Sequence, residues 1–137
     1  MIETFLQAVT VWSSEHPEIL AVGVVGSQAR GTARADSDVD LILIVSDPGV
    51  FFANADWIHR FGNVLAFRDE DWGRLRSLRV DYLIGLEVEF GFVSPDWAST
   101  DPVDPGTKQV VAGGLRLLYD PEMRLRRLAA SVLAVES

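Results

Sequence analysis

The sequence predicts an α+β fold, a β-sheet flanked by helices. Short runs rich in β-branched and aromatic residues alternate with turn signals. Amphipathic helical segments open and close the chain. No repeat, low-complexity segment or linker interrupts it. At 137 residues and 48% hydrophobic content, it is expected to form one domain, 1–137, with an ordinary core.

Ile2, Phe5, Leu6, Val9 and Trp12 recur at helical spacing and predict a helix over 2–15, ended by Pro17. His16, near that end, reads as an exposed or capping residue. Ile19 to Val25 predicts a buried strand, and Gly26-Ser27 a turn. Gln28 to Gly31 follows as a brief helical turn and Val39 to Val45 as a second strand. Asp47-Pro48-Gly49 is a turn signal. Residues 50–62 read as a short helix holding Trp57 and Phe61, and Val64 to Phe67 as a short strand. Ser77 to Leu83 and Leu86 to Val93 form a hairpin around Ile84-Gly85. In its second run Glu87, Glu89 and Gly91 share one face, and Leu86, Val88, Phe90 and Phe92 the other. Residues 94–107, rich in Pro, Asp, Ser and Thr, read as a loop closing onto a short helical turn. Leu115 to Tyr119 is a last strand. Pro121 to Val135 reads as a helix with Pro in its first turn and Leu125, Leu128, Val132 and Leu133 on its apolar side. Arg124, Arg126 and Arg127 on that helix read as surface charges or as partners of its C-terminal dipole.

Charge and composition narrow the function classes. Twelve basic residues face 20 acidic ones, a net charge of −8, which disfavours a polynucleotide partner. The absence of Cys excludes disulfide and thiolate chemistry and is compatible with a cytoplasmic location, the compartment expected here. The N-terminus lacks a positive n-region and carries Glu3, and no apolar run approaches the roughly 18 residues of a membrane span. Neither a signal peptide nor membrane association is expected. Two His are too few for an ordinary zinc site.

The most informative stretch is GSQARGTARADSDVD, Gly26 to Asp40, running into LILIV. Asp38 and Asp40 stand at i and i+2, so in a strand they project to one face. They lie beside a turn whose N–H groups can receive phosphate oxygens. Two hard oxygen donors on one face suit Mg²⁺, which takes one or two carboxylates plus substrate phosphates. Gly26 and Gly31 have P-loop spacing, but Thr32 stands where Lys is required. A calcium loop starting at Asp36 would need Gly and Glu where Leu41 and Asp47 stand.

Gly26-Ser27, ten intervening residues and Asp38-Val39-Asp40 together resemble the signature of the DNA polymerase beta-like nucleotidyltransferase superfamily. GSQARG and SDVDL are similar to its minimal, single-domain prokaryotic branch. The resemblance implies a nucleotidyltransferase fold with a mixed sheet. It implies metal-dependent transfer of an NMP group from an NTP, with ATP the expected donor, to a protein or small-molecule hydroxyl, releasing pyrophosphate. Two Mg²⁺ ions would be held by Asp38, Asp40 and a third acid on a later strand. For that acid Val88-Glu89-Phe90 fits best, although Glu replaces the commoner Asp; Leu86-Glu87-Val88 and Val80-Asp81-Tyr82 are the alternatives. The alternation of Glu87 and Glu89 also fits a solvated strand face. Gly26 and Ser27 would hold the triphosphate, Gly26 by letting the backbone approach closely.

Arg30 is assigned to phosphate, with a structural ion pair to a nearby Asp as its alternative. Asp36 reads as a turn or cap residue. Arg76 and Arg79 read as solvated charges, with a reach toward phosphate or acceptor as the alternative. Trp97 is the best base-stacking candidate of four Trp whose default is core. No His is placed as a general base, so Glu89 or Glu87 would take that part. Proteins of the minimal type work as dimers or beside a helical partner. In toxin–antitoxin pairs of this class such a protein transfers AMP to a HEPN-type toxin, and others resemble the catalytic half of antibiotic nucleotidyltransferases. The rival reading is an antitoxin-like binding module that pairs with a HEPN-type partner without turnover.

Overall fold

A computed structural model describes residues 2–31 and 38–136. β1 (Ile19–Val25) and β2 (Val39–Val45) are apolar almost throughout and buried on both faces, which places them inside the sheet. The remaining strands are β3 (Val64–Asp71), β4 (Arg76–Tyr82), β5 (Glu87–Val93) and β6 (Leu115–Tyr119). They form one six-stranded sheet in the order β3-β4-β5-β2-β1-β6. β2 and β5 pair in parallel and every other neighbouring pair is antiparallel, so the sheet is mixed, as expected.

One face is closed by α1 (Ile2–Ser14), α3 (Gly49–Ala53) and a 3₁₀ turn, Asp56–Phe61. Phe5, Leu6, Val9 and Trp12 of α1 are buried there, on the face that the periodicity marks. Trp57 stacks on Trp12 with centroids 5.2 Å apart and meets Phe90 edge-on at 4.9 Å. The Tyr82 hydroxyl donates to the Ile58 carbonyl at 2.8 Å, and burial raises its pKa above the ordinary phenol value. His16 closes the end of α1 through Nδ1, 2.7 Å from the Trp12 carbonyl. The other face carries a second cluster in which Ile42, Ile44, Val93 and Trp97 meet α4 (Pro105–Ala112) and α5 (Arg124–Glu136). No helix among the described residues is long and apolar enough to cross a membrane.

Four segments differ from expectation. Residues 50–62 form two pieces rather than one helix, because the Asn54 side chain accepts from the Asp56 N–H and breaks the run. β3 continues to Asp71, its charged half being held by cross-strand pairs of Asp69 with Arg76 and Glu70 with Arg79. α4 starts at the short helical turn expected at the end of 94–107 and runs on to Ala112; Asp104 caps it, accepting from Gly106 and Thr107 N–H at 2.9 and 3.1 Å, and Pro105 supplies the first turn. The last helix begins at Arg124, not Pro121, because the Asp120 carboxylate takes the Leu125 and Arg126 N–H groups. Arg124, Arg126 and Arg127 therefore sit at its N-terminal end, which overturns the C-terminal dipole reading. Leu125, Leu128 and Val132 are buried as expected. The side chain of Leu133, and Asp36 with its turn or cap assignment, lie outside the described residues.

Candidate active site

The parallel pairing of β2 with β5 sets Asp40 opposite Glu89 and Ile42 opposite Gly91. On the far side of β5, Arg79 of β4 stands opposite Glu89 and Ser77 opposite Gly91. β1 contributes Val25 opposite Asp40. Period-2 alternation then puts all of these side chains on the face that α4 and α5 cover only in part. Asp38, immediately before β2, joins them through Arg79.

The Gly-Ser turn abuts this floor. Gly26 has φ +74, and a Cβ built on it would lie 2.7 Å from Asp40 Oδ2. Only glycine satisfies both the backbone and the close approach of that carboxylate. Ser27 begins the short helix α2 (Ser27–Arg30), in which Ala29 and Arg30 N–H donate to the Gly26 carbonyl. The first N–H groups of such a turn have no partner within it.

Asp40 has its pKa pushed up to about 6, first by burial, then by the negative charges of Glu89 and Asp38 and a hydrogen bond shared with Glu89; Arg79 opposes the shift. Glu89 is fixed at both oxygens: Oε1 accepts from the buried Ser77 hydroxyl at 3.0 Å and Oε2 from Arg79 Nη2 at 3.1 Å. Arg79 also donates to Asp38 at 3.0 Å, Glu87 at 3.1 Å and Glu70 at 3.2 Å. One guanidinium thus serves four carboxylates, and their hydrogen bonds and charge raise its own pKa despite partial burial. Glu87 and Glu89 are engaged rather than simply solvated, whereas Asp81 is exposed, opposite Glu87 in the strand register.

Above the carboxylates lies an open cavity of about 370 Å³, floored by Asp40, Ile42, Glu89 and Gly91. Its walls are Trp72 and Leu75 from the β3–β4 turn and Val110 from α4. An Arg74–Asp104 ion pair of 2.9 Å links that turn to the cap of α4. Trp72 is 62% exposed here, while Trp97, the best stacking candidate, takes its default place in the core at 5% exposure. Arg30 does not join the ion pairs of this cluster among the described residues; it donates to the Gly113 carbonyl at 3.0 Å. Arg76 pairs with Asp69 and lies over the Phe52 ring at 4.0 Å.

Hard oxygen donors crowded closely enough to raise the pKa of Asp40 suit a divalent cation, and Asp38, Asp40 and Glu89 fit one chemically. Among the described residues, however, no three acidic, His or Cys side chains form a ready cage, and the cation standing between Asp38 and Glu89 is Arg79. Arg79 and Ser77 are the residues sequence reasoning missed. The register that sets Arg79 against Glu89 comes from a three-residue turn, Leu83 to Gly85, one residue longer than the Ile84-Gly85 turn read from the sequence.

A family model described as streptomycin adenylyltransferase matches residues 1–87, which include the Gly-Ser turn and both Asp38 and Asp40. Among solved structures, an aminoglycoside 6-adenyltransferase from Bacillus subtilis superposes with a TM-score of 0.53 at 14% identity over 69% of this chain. The chain spans 36% of that enzyme's length. A structure described as a toxin–antitoxin with AMP-PNP superposes with a TM-score of 0.51 at 14% identity, over 96% of this chain and 86% of its own. At that identity both likenesses are likenesses of fold. No curated protein matches the sequence.

Proposed function

Because the chain belongs to the streptomycin adenylyltransferase family, within the nucleotidyltransferase superfamily, we propose that it transfers an NMP group from an NTP, ATP by preference, to a hydroxyl of a small molecule or a protein. The observation that carries this reading is the pairing of Asp40 with Glu89 on one sheet face, against the Gly26 turn. Asp38, Asp40 and Glu89 hold Mg²⁺. Bound Mg²⁺ supplies charge neutralisation for the phosphates and for the departing pyrophosphate. Gly26 and Ser27 bind the triphosphate through backbone N–H groups and the Ser27 hydroxyl. The acceptor oxygen bonds to the α-phosphorus while the bond from that phosphorus to pyrophosphate breaks. The acceptor proton passes to a carboxylate oxygen of Glu89 or Glu87. The open cavity between Trp72 and Val110 has room for the acceptor beside Glu89.

Labelled ATP, GTP, CTP and UTP with Mg²⁺ test the proposal on wild type and on the double variant Asp38→Asn/Asp40→Asn. Metal-dependent binding or pyrophosphate release is expected in wild type only. Equal behaviour of both folded proteins with all four nucleotides would sink it. One observation favours a second reading, a binding module with a protein partner: Arg79 pairs with Asp38, Glu87 and Glu89, three of the acids that a metal site would draw on. On that reading the double variant keeps its partner affinity and neither protein turns over nucleotide.

A further inference from the structure

We infer that Arg79 is the resident counter-ion of the metal site, and that a divalent cation gains Asp38 and Glu89 only by displacing its guanidinium. The inference rests on the transferase reading and concerns how its site is loaded. The same atoms are in demand. Asp38 Oδ2 accepts from Arg79 Nη1 at 3.0 Å, and Glu89 Oε2 accepts from Nη2 at 3.1 Å. Glu89 Oε1 also accepts from Ser77 at 3.0 Å, so both oxygens of Glu89 already have a partner in place. A guanidinium left in place would also repel the incoming charge across a few ångströms in a partly desolvated setting.

The geometry provides somewhere for Arg79 to remain. Its Nε bonds to Glu70 Oε1 at 3.2 Å, on β3, and Nη1 also bonds to Glu87 Oε1 at 3.1 Å. Neither acid is a ligand in the proposed function. Arg79 can therefore keep two partners while it releases the other two. Without the metal, it holds apart the repulsion among Asp38, Glu87 and Glu89. With the metal, it is the competitor that sets affinity. Arg79 is in this sense a positioning residue.

Mn²⁺ serves as the probe, its free form counted by electron paramagnetic resonance, on wild type, Arg79→Gln and Arg79→Lys. Arg79→Gln is expected to bind Mn²⁺ at least about tenfold more tightly, the size of one unit of charge coupling. Arg79→Lys, a point charge without the fork, should fall between. Unchanged or weaker binding in folded Arg79→Gln overturns the inference and leaves the transferase reading standing. No Mn²⁺ binding by any of the three overturns both. A wild-type measurement covers the case in which Arg79→Gln does not fold. The Arg79 Nη–H resonance, assigned by its loss in Arg79→Lys, should shift during a Mg²⁺ titration and saturate with Mg²⁺ occupancy. A resonance that stays fixed while Mg²⁺ binds overturns the inference.

Discussion

The two faces of the sheet are built from the same strands and do different work. Toward α1, β2 and β5 present Val39, Leu41 and Leu43 with Val88, Phe90 and Phe92, all buried and backed by aromatic rings. Toward α4 and α5 the same strands present Asp40 and Ile42 with Glu89 and Gly91. That face is apolar only where the helices cover it, and at its uncovered end it is charged. The acids stand at the ends of strands whose opposite side chains are anchored in core. Positional precision for the open face therefore comes from packing on the closed one. The difference also shows in how charge is managed. The closed face keeps its charge in separate exposed pairs, Arg76 with Asp69 and Arg116 with Glu3, while the open face gathers four acids around one arginine.

The largest expected effect tests the closed face. Phe90→Ala removes a fully buried ring in contact with Phe5, Trp57 and Phe61 and should lower unfolding free energy by about 3–5 kcal/mol in urea titration. Activity per folded molecule should stay near wild type if anchoring is shared across the core. An activity loss exceeding the loss of folded protein would mean that this one ring positions Glu89. Next comes Gly26→Ala, on the open face. The left-handed backbone and the 2.7 Å approach to Asp40 predict a stability loss of about 1–3 kcal/mol together with at least about a tenfold fall in turnover. A stable variant with full turnover would break the assignment of this turn to the site. The smallest effect is Asp104→Ala, which deletes the cap of α4 and its pair with Arg74. A loss of about 1 kcal/mol is expected in the same titration. A loss several times larger would show that the cavity wall is a stability element after all.

Much of this was legible in the chain. The spans Ile19–Val25, Val39–Val45 and Leu115–Tyr119 match their expected bounds because short, mostly apolar runs flanked by turn residues have few other solutions. The hairpin of β4 and β5 and the apolar stripe of α1 were equally readable. α4 was not, because in PGTKQVVA only Thr107 and Val111 are buried, too few to mark a period. The site divides the same way. Asp38, Asp40, Gly26 and Ser27 announce themselves by local spacing. Arg79 does not, since nothing next to it in sequence distinguishes a solvated arginine from one shared by four acids. The core default fits Trp97 and not Trp72, whose exposure depends on which helix covers which part of the sheet.

The sequence by itself determined the strands, the Gly-Ser turn and the alternation that gives β5 one apolar and one chemical face. These follow from interactions within a few residues, where side-chain period and glycine conformation decide the outcome. Only the tertiary structure decided which acid faces Asp40, that Arg79 neutralises the cluster, and that Trp72 rather than Trp97 borders the cavity. Those outcomes depend on strand order and register between segments distant in the chain, and on helices that cover half of one face and leave the rest open to solvent.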